Sequence, residues 1–505
     1  MSQLHAESPM ATEVLTPVDY RRLKRKRTRD LPSCNLFDDH TNRHIKPVGR
    51  RFSDDCKWIC QPLRHRWFPA PIPVCIFIDR KFFTPLDHDA LRLDVQSPHN
   101  FIKALNLSLD YTAISQQYFA TINKWLPFIS RRRLLGNLQT ADSNACETLL
   151  ITCMQLSMIN GASKDSIVYT AAKSLCAATE ANGTVSLRLL QSLVLLCIFE
   201  MSHAIYPAAY LTVGRAARLG LLMGLHKPSA GVRLFKTPDS FNIQEEQRRT
   251  WWAVFIIDRL VSIELVDIPL SVPEPNAAEL LPINDQDWDE GRIGLSEAFF
   301  ASSFSSATKL GYFAMTCQAA HMLGKVIRHT AARNETGSHA DLASDALGIH
   351  SVLAASHSAI TEEADTSDTN LTPPTRMIAL SICCSARFLL YHQYCCNNLS
   401  GPAIPTPSAQ HTEFQHIIIS SVRRLIVLTV PSISRAEQKS PLTAHSIYHA
   451  ASECAWFIRE DQGSEYHEAL ANLLGGLRAI ANEWDIGAQY ISFLEKDGVV
   501  ELLGM

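Results

Sequence analysis

Residues 244–265 read QEEQRRTWWAVFIIDRLVSIEL. Arg248, Trp252, Phe255, Ile256, Arg259 and Ile263 recur at steps of three and four, the period of one helical face. Glu245 and Arg249 stand four apart, the spacing at which opposite charges meet on a helix. The stretch predicts a long helix that carries charge and bulky aromatics side by side.

The surrounding sequence keeps the same period. Tyr118, Ile122 and Trp125 mark a helical stripe in 111–130, and Pro127 bends or ends it. The apolar runs 148–160 and 186–205 are too long for ordinary strands and lack strict alternation. Tyr210, Val213, Ala217, Leu221 and Leu225 form a stripe over 208–226. Gly220 and Gly224 cost helix propensity there and read as sites of close packing rather than a phosphate loop. Helical periodicity returns at 376–394, 413–429, 445–458 and 466–483. Strand signals are few, so the fold class is all-α: a large helical bundle or irregular α-array behind a basic N-terminal segment.

Composition sets outer limits. The chain has 505 residues, 46% hydrophobic and 19% charged, enough apolar material for a sizeable core. The net charge of −3 gives no overall pull towards nucleic acid or membrane. Its distribution is uneven: residues 1–66 hold 14 Lys/Arg against 8 Asp/Glu, or +6, and the rest is acidic. No apolar run suits a secretory signal or a membrane span. The 14 cysteines are scattered, several inside helical apolar runs, and read as reduced core thiols. The expected organisation is a basic, mostly disordered segment at 1–66 and a proline-rich linker at 67–104. A helical core follows at 105–330, then a low-structure insertion at 331–376 and a C-terminal helical part at 377–505.

Arg21, Arg22, Lys24, Arg25, Lys26, Arg27 and Arg29 put seven cations into nine residues. Such a run repels itself and gives a fold no benefit. It reads as a nuclear localisation signal or a phosphate-contacting arm, which would position DNA without reading its sequence. His40, His44, Cys56 and Cys60 are zinc-type ligands, but the histidine pair precedes the cysteine pair, and they read as unrelated residues. No nucleophile elbow, P-loop, dinucleotide fingerprint or metalloprotease helix is present, so no catalytic residue and no metal set is assigned. Asp285, Asp287, Asp289 and Glu290 lack calcium-loop spacing and read as a solvated acidic turn. Cys383-Cys384 and Cys395-Cys396 read as core packing, because adjacent helical side chains point about 100° apart.

The run Tyr206-Pro-Ala-Ala-Tyr-Leu-Thr-Val-Gly-Arg-Ala-Ala-Arg-Leu-Gly leads to Gly224-Leu-His-Lys. Then come Arg248-Arg-Thr-Trp-Trp, Asp258-Arg, Ile268-Pro-Leu-Ser-Val-Pro and Leu281-Pro-Ile-Asn-Asp-Gln-Asp-Trp. This text resembles the fungal-specific transcription factor domain, the regulatory middle region of fungal zinc-cluster transcription factors. The resemblance covers about 110–290 closely and extends loosely to about 460. Within the motif, Trp251 and Trp252 are expected to fill space between helices, with Arg248, Arg249, Asp258 and Arg259 in one partly buried ionic network.

The resemblance implies a nuclear regulator of metabolic genes, secondary-metabolite clusters among them, and not an enzyme. Its partners would be DNA, bound directly or through another regulator, a small-molecule effector and a second subunit of the same or another kind; no membrane is implied. The alternative is a helical ligand-sensing scaffold or co-regulator without sequence-specific DNA binding of its own. Relatives carry six cysteines that hold two zinc ions. Here Cys34, Cys56, Cys60 and Cys75 precede residue 146, none with a two-residue gap. No cofactor is therefore expected, zinc entering only if a cluster is missing from this gene model.

Overall fold

The computed structural model describes residues 109–504, apart from 139–144, 160–163, 227–234, 236, 266, 277–278, 300–309, 337–338, 366–372, 396–408 and 462. Among the described residues the regular elements are helices, and an antiparallel bridge joins Leu280 and Ala298. The all-α expectation holds.

The N-terminal helices are α1 (Tyr111–Ala120), α2 (Arg131–Leu138), α3 (Ala145–Ser157), α4 (Ile167–Ala181), α5 (Leu187–Ser202), α6 (Ala208–Leu222) and α7 (Phe241–Val261). A short α8 (Asp285–Glu290) precedes α9 (Tyr312–Thr336), α10 (His339–Asp365) and α11 (Pro374–Cys395). Then come α12 (Ala409–Arg424), a π-helical turn at Leu425–Thr429, α13 (Val430–Ser434), α14 (Ala444–Asp461), α15 (Ser464–Ala481) and α16 (Asp485–Lys496). Asp110 starts α1 by accepting the Ala113 N–H at 2.9 Å, and Ser186 starts α5 by accepting that of Leu189 at 3.1 Å. α1 ends at Ala120, well before Pro127, and a 3₁₀ turn at Ile122–Lys124 follows.

α7 sits at the centre. It packs on α5 and α6 on one side and on α9 on another; α9 pairs with α11, α11 with α14, and α14 with α15 and α16. α16 returns to α5, which closes the assembly. The run Ala253–Ile257 is buried on every face, because neighbours surround the helix. Gly220 shows how close the approach is: a Cβ there would lie 2.6 Å from the Trp251 ring. That supports close packing as the reason for glycine in α6. Gly224, with φ +75°, turns the chain after that helix.

One expectation fails. Much of 331–376, read as a low-structure insertion, is the helix α10. Its buried Ala343, Ala346, Ile349, Leu353 and Ile360 form a stripe at helical spacing. The stripe is sparse, and the Ser, Thr and Asp around it lie on the outer face, so composition hid the period. The run Glu413–Ser434 is long and apolar enough to cross a bilayer by composition, and half of it is buried in the bundle. Cys383 and Cys384 are buried, as read; burial pushes the Cys383 thiol up to about 11 and that of Cys384 higher still.

Trp252 is 1% exposed; its indole N–H donates to the Leu280 carbonyl at 3.0 Å, and its ring stacks on Phe299. Trp252→Ala should destabilise the chain by about 3–5 kcal/mol, the cost of truncating a buried large aromatic. Chemical denaturation followed by circular dichroism measures it. A loss below about 1 kcal/mol would mean that α7 does not depend on this ring.

Candidate functional site

α7 carries three clusters of buried charge. The first centres on Arg249, which is fully buried. Its Nε donates to Glu245 Oε1 at 3.1 Å, the pair read from the sequence. Its Nη1 donates to the Pro127 carbonyl at 3.0 Å and its Nη2 to that of Ile283 at 2.8 Å. Both Nη atoms also reach Asp285 Oδ1, at 3.2 and 3.1 Å. The guanidinium lies against the Trp288 and Phe313 rings, 4.8 and 5.1 Å from their centroids. Arg248 pairs with the other oxygen of Glu245 and donates to Ser296 Oγ at 2.9 Å. Asp285 is thus no solvated turn residue: besides Arg249 it accepts the Phe313 N–H at 3.1 Å.

The second cluster surrounds Glu246, one residue on. Its Oε1 accepts from Arg188 and Gln191, each at 2.9 Å, and from the Ser130 N–H at 3.1 Å; Arg133 pairs with its Oε2. Burial alone would push this carboxyl up. The charges of Arg188 and Arg133, helped by the Gln191 and Ser130 donors, outweigh burial and hold it below the ordinary carboxylate value.

The third lies at the far end of α7. Arg259 bridges Asp258, at 2.9 Å, and Glu274, at 2.7 Å, with its guanidinium 3.7 Å from the Phe255 centroid. Asp258 also accepts the N–H groups of Ser271 and Val272, at 3.1 and 3.2 Å, which ties down the loop after α7. Arg328 and His321 pair with Glu274 from α9.

The expected single network of Arg248, Arg249, Asp258 and Arg259 is therefore two. Arg249 and Asp258 are nine residues apart. At about 100° and 1.5 Å per residue they face opposite sides of the helix, roughly 13 Å apart along it. Trp251 and Trp252 do fill space between helices, as expected. Glu246, Arg188, Arg133 and Glu274 were not singled out from the sequence. A glutamate inside a helix otherwise bound for the core was the signal for Glu246. The seven cations from Arg21 to Arg29, and His40, His44, Cys56 and Cys60, lie outside the described residues.

An open cleft of about 780 Å³ lies beside α10, α11 and the π-helical turn. Met377, Leu380 and Leu428 give it apolar surface; Lys124, Arg376, Arg424 and Arg435 give it a basic rim against Glu437. Its size suits a small molecule. Pro431, which lacks an N–H and would crowd the carbonyl four residues back, accounts for the π-helical turn. His357 sits at the inner side, pushed down to about 4 by burial and by the charges of Arg387 and Arg424.

The fungal specific transcription factor domain profile matches residues 116–339, which span α7 and its three clusters. Transcription factor BOA15 of Botryotinia fuckeliana is 39% identical over 126 residues, 24% of this chain and 70% of that protein. The chain belongs to this family. Two further relatives are more distant. Transcription factor tazR of Aspergillus terreus is 26% identical over 216 residues, 38% of this chain and 33% of that protein. The citrinin biosynthesis transcriptional activator mrl3 of Monascus ruber is 24% identical over 192 residues, 35% of this chain and 36% of that protein. The matched parts thus span about a third of the length of these two. Family and relatives are transcription factors and not enzymes. In this family member, the motif's charges hold helices and loops together.

Glu279 offers a pH test of that packing. Glu279 is 6% exposed beside Trp251, and burial pushes its carboxyl up to about 7. A carboxyl raised in the folded state contributes stability that is present below its unfolded value of about 4.5 and lost as pH rises through 7. Glu279→Gln keeps the shape of the protonated form. It should therefore gain stability over the parent as pH rises from about 4.5 to 8. The gain should reach on the order of 3 kcal/mol, because each tenfold change in proton affinity is worth roughly 1.4 kcal/mol. Thermal melts across that range check it; a difference that does not vary with pH would refute it.

Proposed function

We propose that this chain is a nuclear regulator of transcription acting on a metabolic gene set of the secondary-metabolite kind. The observation that carries the reading is the family motif on α7 joined to relatives whose names place several at biosynthesis clusters, citrinin and depudecin among them. The basic run Arg21–Arg29 serves nuclear import and contacts DNA phosphates. Cations on phosphates give affinity without base reading. Sequence choice then comes from a partner regulator.

Replacing Arg25, Lys26 and Arg27 with alanine in a fluorescent fusion should abolish nuclear accumulation. It should also silence the genes that disruption of the parent gene silences, as read by transcript profiling. DNA binding by the purified chain should weaken steeply with salt, log K falling by about 0.9 per phosphate neutralised per decade of salt, and vary little among duplexes. Unchanged import and transcripts would remove the function from this run. Discrimination among duplexes of about a thousandfold would show that the chain reads sequence itself.

The cleft beside the π-helical turn is where we place a small-molecule effector, an anionic and partly apolar one by the character of its walls. Leu428 is 62% exposed at the cleft, so Leu428→Trp should narrow it without disturbing the core. Induction of target transcripts should fall at least tenfold with protein level and import preserved. Normal induction by this variant would place the effector elsewhere.

A further inference from the structure

Glu264 stands three residues beyond the end of α7, in the turn that leaves it. His445 and His449 stand four apart on α14, so their rings share one face. Their Nε2 atoms lie 2.9 and 3.2 Å from the same Glu264 oxygen. The three ligand atoms all fall within 4.8 Å of one another. Four ligands about 2.0–2.1 Å from a zinc ion lie roughly 3.3 Å apart along each tetrahedral edge. The two histidine–glutamate spacings therefore need to open by only a few tenths of an ångström to admit the ion.

The surroundings support the same chemistry. His445 Nδ1 meets Ser385 Oγ of α11 at 3.0 Å, which fixes the ring and turns Nε2 towards Glu264. Such an outer partner orients histidine ligands in metal sites generally. The His449 ring lies 5.0 Å from that of Tyr448 and 6.3 Å from that of Phe388. Glu264 is 61% exposed, so ion and water can enter.

We propose that Glu264, His445 and His449 form a zinc(II) site, with water completing a tetrahedron, that clamps the end of the motif helix to α14. Two imidazoles and a carboxylate are a borderline donor set suited to zinc. No thiolate takes part, so the site is separate in chemistry from a six-cysteine zinc cluster. It also stands apart from the transcriptional reading, since ion binding is measured on the purified chain without DNA.

The test uses the full-length chain stripped with a chelator. Zinc chloride is titrated in competition with a chromophoric chelator, and melting is followed with and without zinc. The parent should bind one zinc at this site and melt at a higher temperature with it. His449→Gln and Glu264→Gln, both at the surface end of the site, should keep the zinc-free melting temperature. Each should lose at least tenfold in affinity, together with the zinc-dependent rise in melting temperature. Cobalt(II) should give visible d–d bands in the parent, absent from the variants, without the near-ultraviolet absorption of cobalt bound to thiolate. A parent that binds no zinc overturns the proposal. So do variants that bind zinc as the parent does, or a cobalt spectrum dominated by thiolate.

Discussion

The rest of the N-terminal part of the fold depends on one buried cation. Arg249 is fully enclosed, yet each of its guanidinium nitrogens has an acceptor: the Glu245 and Asp285 carboxylates and the carbonyls of Pro127 and Ile283. Those acceptors come from three places in the chain. The guanidinium fixes where the segment after α1, the loop before α8 and the start of α9 meet α7. A buried pair of this kind adds little net stability compared with well-packed apolar groups, but losing one partner costs about 3–5 kcal/mol. Its main effect is to specify one arrangement, since any other leaves a charge unpaired in the core.

Glu246 and Arg259 extend the same logic along α7. The three clusters face different neighbours because consecutive helical residues point about 100° apart. Glu246 looks towards α5 and α2, Arg249 towards the loop before α8 and α9, and Arg259 towards the loop after α7 and α9. A single helix thereby sets the positions of most elements around it. The two tryptophans between the clusters exclude water and lower the local dielectric, which strengthens each pair.

The C-terminal half buries polar groups too, Arg387 with Tyr391 and Ser381 with Ser446. Two of its polar features reach the surface: the basic cleft by the π-helical turn, and the His445–His449–Glu264 group where α14 meets the end of α7. Both lie where the two halves of the chain touch. Lys124 of the N-terminal half lines the cleft, and Glu264 follows α7. Chemistry at either place would bear on how the halves are joined, the kind of linkage a regulatory domain can use.

The sequence by itself determined the helical class, the central helix, the burial of Trp251 and Trp252, the Glu245–Arg249 pair and the membership of a transcription factor family. These are local matters: a period of 3.6 residues, a spacing of four, a short text around two tryptophans. α10 escaped because its apolar stripe is sparse and its outer face is rich in Ser, Thr and Asp. Only the tertiary structure decided which charge meets which. Arg249 reaches Pro127 across 122 positions, and His445 reaches Glu264 across 181. Such pairings are set by how helices dock, and docking is a sum over many weak apolar contacts that no short stretch of sequence contains.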